Sequence, residues 1–381
     1  NTPWDKLTQE IITAKGRSYQ NGAANYFRIS KNPKDLAVAT SQIFLGVRIQ
    51  CAECHNHPFD QWTQEDYYSF SAFFARTKTK GGDEEGDEIV HFVKSGEVNH
   101  PRTNEVMPPK GLVGKPYEKL PDDIDRRTKL AEWLTSPDNP FFAKNMANRI
   151  WRMFFATGII EPTDDIRASN PPSNPELLDM LAEYFKENNY DPKQLIRLIC
   201  SSQTYQLSSL PNLWNKIDRN QFTHYFAKRL GAEQLLDAVS SATGVPEKFT
   251  GFPAGTRAVQ LPDPQVENYF LQVFGRPSRQ IVCECERSED ANMAQALHMI
   301  NSQNLQTKIS DEKGRVAKLI KTGTSPGDIA NALYLATFSR FPTPEESKRA
   351  TAVLMQSPNR QEAAEDLIWA LMNSREFVFN H

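Results

Sequence analysis

Cys51-Ala52-Glu53-Cys54-His55 constrains this chain more than any other stretch, because it sets two thiols and an imidazole close together in sequence. Two thiols at i and i+3 with an imidazole at i+4 form the CxxCH spacing of covalent c-type haem attachment. Leu36, Ala39, Ile43, Val47 and Ile49 run toward the motif at helical spacing, and Asn32-Pro33 is a helix start, so the pattern predicts a helix over 33–55. A helix that reaches the motif puts Cys51, Cys54 and His55 on one face, one turn apart.

Three chemistries suit those residues. In the leading one, Cys51 and Cys54 bond to the vinyl groups of haem c and His55 is an axial iron ligand. Met107 before Pro108-Pro109 is then the sulfur candidate for the sixth position, with His91 and His100 as nitrogen candidates; plain hairpin packing is the simpler role for Met107. His57 lies too near His55 to reach the far face of the same iron, and would bond a propionate or orient a neighbour. In the second, Cys51, Cys54, Cys283 and Cys285 converge on zinc or another transition metal, with His55 or His57 replacing a thiolate. His55, His57 and Asp60 would instead suit a catalytic metal with an open position. In the third, Cys51 and Cys54 close a disulfide in an oxidising compartment. Five cysteines are an odd count, which argues against a pure disulfide framework. The fifth, Cys200, sits in an apolar run and reads as a small buried hydrophobe.

Beyond the motif, Trp62 to Phe74 is helical and aromatic, mostly core, with some rings available to wall a haem pocket. Lys78 to Glu88 is polar and glycine-rich and reads as a loop or partly disordered linker. Ile89 to Val93 and a second short strand within Glu97–Lys110 predict a small β-hairpin. From Asp125 the chain reads as helices: 126–133, 141–155, 175–185, 191–200, 225–243, 288–301, 311–321, 329–338, one from 344, and 361–373. An irregular, proline-rich excursion interrupts them over 246–279. The expected fold is mainly α, a helical Cys-His domain (1–80), a linker and small β-hairpin (81–120), and a larger multi-helix domain (121–381).

The chain is long enough for two or three cores. Its 44 basic and 47 acidic side chains are well mixed, so no basic stripe points to nucleic acid. Its apolar runs are too short to span a bilayer. The first residues, Asn1-Thr2-Pro3-Trp4-Asp5, look like the interior of a domain, so targeting says nothing of compartment.

Outside the motif, Glu161, Asp164 and Asp165 gather near Arg167. Paired carboxylates serve glycoside hydrolysis as acid and base, but caps and loop ion pairs look the same in sequence. Asp165 and His57 are the candidate catalytic residues. Asn148, Arg149 and Trp151 are candidates for binding sugar or sulfate, although a buried Arg–Asp pair is the plainer role. Arg276, Arg279 and Arg287 flank Cys283 and Cys285 and are candidates for propionates or an anionic polysaccharide. No phosphate loop, nucleophile elbow or zinc-protease signature is present.

Two family resemblances cover nearly the whole chain. Gln42-Ile43-Phe44-Leu45-Gly46-Val47, Cys51 through Asp60, and Asp66-Tyr67-Tyr68 resemble the planctomycete cytochrome-associated domain of unknown function DUF1549. Asn148-Arg149-Ile150-Trp151, Gly158 through Asp165, Ser169 through Ser173, Ser202 through Ser208, Cys283-Glu284-Cys285 and Asn373 through Phe377 resemble its companion, DUF1553. The resemblance implies an exported protein, periplasmic or at the cell surface, in a setting of sulfatases and polysaccharide-degrading enzymes. It also implies a further helical segment before this one, which would be a partner to it. The expectation is a c-type haem protein, in electron transfer with a redox partner or in redox chemistry linked to polysaccharide breakdown. The alternatives are a Cys/His metal or disulfide protein that binds or hydrolyses sulfated glycans, or a structural component of the cell surface.

Overall fold

The computed structural model describes residues 1–28, 30–262, 266–277 and 293–380. It is mainly helical, with a few short strands. Among the described residues, packing divides the chain after Phe226 into two compact units. Packing within the first unit is continuous across residues 80 and 120. One apolar core runs through the first unit from Ile12, Phe27 and Phe44 by way of Phe70 to Phe142, Phe185 and Ile199.

In the first unit, α1 (Trp4–Ile12) packs on α4 (Arg126–Leu134). Between them, α2 (Pro33–Thr40) starts as its sequence predicts: Asn32 accepts from the Lys34 N–H at 3.0 Å and Pro33 occupies the first turn. The expected continuation to residue 55 does not occur. After α2 the backbone widens into a π turn, Ser41–Leu45, and stops at Gly46 with φ 68°. The freed carbonyls are taken by a helix distant in sequence, α5 (Phe142–Phe155): Asn145 Nδ2 donates to Ile43 O at 2.8 Å and Arg149 Nη2 to Gln42 O at 2.9 Å. A Cβ on Gly46 would lie 2.6 Å from Asn145 Oδ1. Gly46→Ala therefore combines left-handed backbone with a collision, and is expected to cost about 1–3 kcal/mol. A lowered urea midpoint of the first unit checks it, and an unchanged midpoint contradicts the assignment.

Next, α3 (Gln64–Ser71) opens on a capping box in which Thr63 and Asp66 each bond the other's backbone N–H. Its aromatic stripe is core throughout: Tyr67, Phe70, Phe73 and Phe74 are at most 1% exposed, so no ring of the four is left to wall a pocket. The polar run after it is not a loose linker. β2 (Thr77–Gly81) pairs antiparallel with β3 (Glu88–Phe92), and β1 (Gly16–Arg17) joins the other edge of β3. Arg17 orders the turn, with its Nε 2.7 Å from the Asp87 carboxylate and Asp83 and Glu84 at 3.1 and 3.3 Å. A second, shorter hairpin follows, where Met107 N–H donates to Val98 O and His100 N–H to Glu105 O. The unit is completed by α6 (Pro175–Glu187) against α5 and by α7 (Pro192–Cys200) against both.

The second unit begins with β4 (Lys228–Arg229), where a helix from 225 was expected. Its helix α8 starts only at Ala232 (Ala232–Thr243). The excursion after it holds α9 (Tyr269–Val273). There follow α10 (Met293–Asn301), α11 (Gln303–Ile309), α12 (Arg315–Lys321), α13 (Pro326–Phe338), α14 (Pro344–Gln356), α15 (Arg360–Met372) and α16 (Arg375–Val378). The strand β5 (Phe379–Asn380) pairs with β4. Leu235, Leu333, Ile368 and Met372 are at most 1% exposed and form its core. Among the described residues, no helix is long and apolar enough to cross a membrane.

Candidate functional site

Because α2 ends at Gly46, the motif does not ride on a helix face. Val47 and Ile49 are fully buried, and the chain then makes one 3₁₀ turn, Gln50–Glu53, across the surface. Ala52 faces the core, while Cys51, Cys54 and His55 are exposed. Glu53 anchors the turn. Its carboxylate takes the Lys34 ammonium and the Tyr67 hydroxyl, and its carbonyl accepts from Gln64 Nε2 and Tyr68 OH. Burial first, then the Glu53 charge, pushes the Tyr67 phenol up.

Cys51 and Cys54 are free thiols. His55 Nδ1 lies 2.8 Å from its neighbour's carbonyl, Asn56 O. A carbonyl only accepts, so Nδ1 is the donor of this contact, which in the neutral ring leaves the lone pair on Nε2, as a ligating histidine needs. Two accessible thiols and this imidazole fit covalent haem attachment. Of the three candidates for a second axial ligand, Met107 and His100 are buried. Met107 packs within the core. His100 is 4% exposed, and its Nδ1 accepts the Arg102 and Thr103 N–H groups. His91 lies on β3, with Nδ1 3.4 Å from Ile89 O. Among the described residues no three His, Cys, Asp or Glu side chains converge on a metal position. Cys283, Cys285, Arg279 and Arg287 lie outside the described residues. Arg276 donates to Val266 O. Cys200 is half-buried at the end of α7, where burial pushes its thiol up.

After the motif the chain turns tightly. His57 N–H donates to Trp62 O at 2.7 Å, and His57 Nδ1 accepts the Phe59 N–H at 3.2 Å. The turn leaves Phe59 69% exposed. It rests on a loop over one hundred residues away in sequence: Ser169 Oγ donates to Phe59 O at 2.9 Å, and the Arg167 guanidinium stands 5.9 Å from the Phe59 ring centroid. That second loop is itself fixed. Asn148 exchanges two hydrogen bonds with Ile160, and Asn170 Nδ2 donates to the carbonyls of Asp165 and Glu161. Asn148 and Arg149 thus hold backbone, and Arg149 bonds Asn145 and Gln42 O. The three clustered carboxylates each lie against a different cation: Glu161 with Arg152, fully buried Asp164 with Arg48, and Asp165 with Arg167.

Between the two loops and the start of α5 lies an open cleft of about 610 Å³. Its walls include Phe59, Trp62, Phe141, Lys144, Arg167 and Ser169. The Trp62 and Phe141 rings meet edge to face with centroids 6.0 Å apart, and the Lys144 ammonium is 2.5 Å from Asp179 on α6. Asp60 also lines the cleft, whereas His57 and Asp165 stand beside it without lining it. Sequence reasoning missed Phe59, Phe141 and Lys144 as site residues. Pro58-Phe59 and Pro140-Phe141 each put a proline before an aromatic, the one local signal that these rings sit on turns.

Family models match in the order the motifs indicate. The model described as a protein of unknown function, DUF1549, matches residues 1–79, and that of DUF1553 matches residues 126–354. No curated protein and no solved structure matches the chain. The cleft draws Phe59 and Trp62 from the first matched stretch and Phe141, Lys144 and Arg167 from the second. The chain belongs to the DUF1553 family of proteins of unknown function, with a DUF1549 segment ahead of it.

Proposed function

We propose that the first unit binds an anionic glycan, a sulfated polysaccharide by preference, in the cleft between the 57–62 turn and the 166–169 loop. The observation that carries this reading is the exposed Phe59 ring with Arg167 beside it at the mouth of a cleft that also presents Lys144. An aromatic face packs on the C–H face of a sugar. Arg167 and Lys144 share their charge with Asp165 and Asp179 but keep further N–H donors for sulfate or carboxylate, and Asp60, Gln61 and Ser169 offer hydrogen bonds to hydroxyls. Binding is favoured over hydrolysis, because Asp165 is engaged by Arg167 and neither it nor His57 lines the cleft. The periplasmic or cell-surface setting that the family resemblance implies agrees with such a ligand. Isothermal titration with dextran sulfate tests it: the wild type binds and Phe59→Ala binds at least about tenfold more weakly; equal binding by both contradicts it.

A second reading is kept for the exposed motif, where the thiols of Cys51 and Cys54 and the Nε2 lone pair of His55 are open to one incoming group. These three residues would hold a c-type haem, which supplies one-electron chemistry when bound. A Soret band that survives acid–acetone extraction of the native protein, and is lost in Cys51→Ser with Cys54→Ser, is the result this reading predicts. Colourless native protein overturns it. Zinc in the same sample would instead assign the thiols and His55 to a metal site.

A further inference from the structure

Residues 207–222, at the end of the first unit, present a tip unlike the rest of its surface. Leu210, Leu213, Trp214 and Ile217 are 83%, 81%, 91% and 79% exposed. Large apolar side chains are common singly on a surface, but four so exposed within eight residues of one loop are a concentration that calls for a partner. The backbone beneath them is fixed. Asn212 Oδ1 accepts the Trp214 and Asn215 N–H groups, and Asn215 Oδ1 accepts that of Asn212. Asp218 accepts the N–H groups of Asn220, Gln221 and Thr223 and the Thr223 hydroxyl. Phe222 then anchors the loop among Trp151, Phe155 and Phe226. The exposure therefore belongs to a built loop.

Charge narrows the partner. No acidic residue occurs between Asp191 and Asp218, and the Asp218 carboxylate is taken up by its own turn. Lys216 and Arg219 are exposed beside the apolar tip. A stable protein partner would engage about 20–30 residues a side, far more than this single loop offers. A bilayer makes no such demand. Its headgroup region accommodates an indole, its outer acyl region takes leucine and isoleucine, and its anionic lipids attract lysine and arginine.

We propose that the 207–222 loop docks this protein peripherally on an anionic lipid bilayer, with Leu210, Leu213, Trp214 and Ile217 as the inserted tip and Lys216 and Arg219 against the headgroups. The inference is independent of the glycan cleft. The test is co-sedimentation of the full chain with vesicles of phosphatidylglycerol and phosphatidylcholine. The wild type is expected to bind, and Leu213→Ser with Trp214→Ser to weaken partition at least about tenfold. Lys216→Gln and Arg219→Gln should each weaken it roughly fivefold on charged vesicles and not on phosphatidylcholine alone. A blue shift of tryptophan emission on vesicle addition should be lost in Trp214→Phe, whose exposed position keeps the fold intact. Phe59→Ala should bind vesicles as the wild type does. Absence of wild-type binding, or undiminished binding by the double variant, overturns the proposal. So does a concentration-dependent dimer that Trp214→Ser abolishes, since the tip would then serve a second copy of the chain.

Discussion

Replacing Asp125 with alanine should destabilise the first unit by about 3–5 kcal/mol, a large fraction of the stability of an ordinary domain. Arg127 has no exposed surface, and its guanidinium lies 4.8 Å from the Phe27 ring centroid in the middle of the core. Asp125 neutralises it through two hydrogen bonds, at 3.1 and 2.8 Å, while Nη1 donates to Ala14 O at 2.9 Å. Asp125 also caps α4, accepting from the Arg127 N–H. Deleting the carboxylate leaves a buried cation without its counter-charge and a helix without its cap. Asp125→Ala with Arg127→Met should recover much of the loss, because the cost lies in the unpaired charge. Additive losses in that double-variant cycle would contradict this explanation.

The pair also makes stability depend on pH in a stated direction. Burial alone would raise the Asp125 carboxyl, but the hydrogen bond and charge of Arg127, followed by Lys15, outweigh it and hold the group below its ordinary value. A carboxylate depressed in the folded state contributes fully above its unfolded pKa, about 3.9, and loses that contribution as pH falls through the folded value. Urea midpoints should therefore drop below about pH 4 in the wild type, and drop less in the Asp125→Ala, Arg127→Met double variant.

Phe59→Ala should weaken glycan binding about tenfold or more while leaving the urea midpoint within about 0.5 kcal/mol of the wild type. Phe59 is 69% exposed, so little burial is lost with the ring. What goes is the apolar platform and its contact with Arg167. Arg167→Met is a poorer probe, because it also strips the ion pair from Asp165, which is only 8% exposed. Lys144→Met separates charge from stacking. It should weaken binding of the sulfated ligand with a smaller salt dependence than the wild type, since Lys144 already shares its charge with Asp179.

What the sequence made legible was local chemistry. Asn32-Pro33 and Asp191-Pro192 start helices where their side chains can bond nearby backbone. What it hid depended on distant partners. The 33–55 pattern looked continuous because Val47 and Ile49 are buried, and they are buried on a surface turn that follows Gly46. Nothing near Gly46 announces that Asn145 and Arg149 will take the last carbonyls of the helix. Lys78 through Glu88 looked like a loop because it is polar and glycine-rich, and Arg17, which gathers its acids, lies far away in sequence. The cleft was equally hidden. Its motif turn was noticed for the cysteines and its second loop for the acids, but their meeting at Phe59 and Ser169 joins residues 110 positions apart.

The account's central claim is that the cleft of the first unit recognises an anionic glycan. Parallel titrations of the wild type and Phe59→Ala with dextran sulfate and with unsulfated dextran test it most directly. The account predicts saturable binding of dextran sulfate by the wild type, and at least about tenfold weaker binding both of dextran by the wild type and of dextran sulfate by Phe59→Ala. Binding of dextran sulfate that survives Phe59→Ala unchanged would place the ligand elsewhere on the protein and contradict the claim.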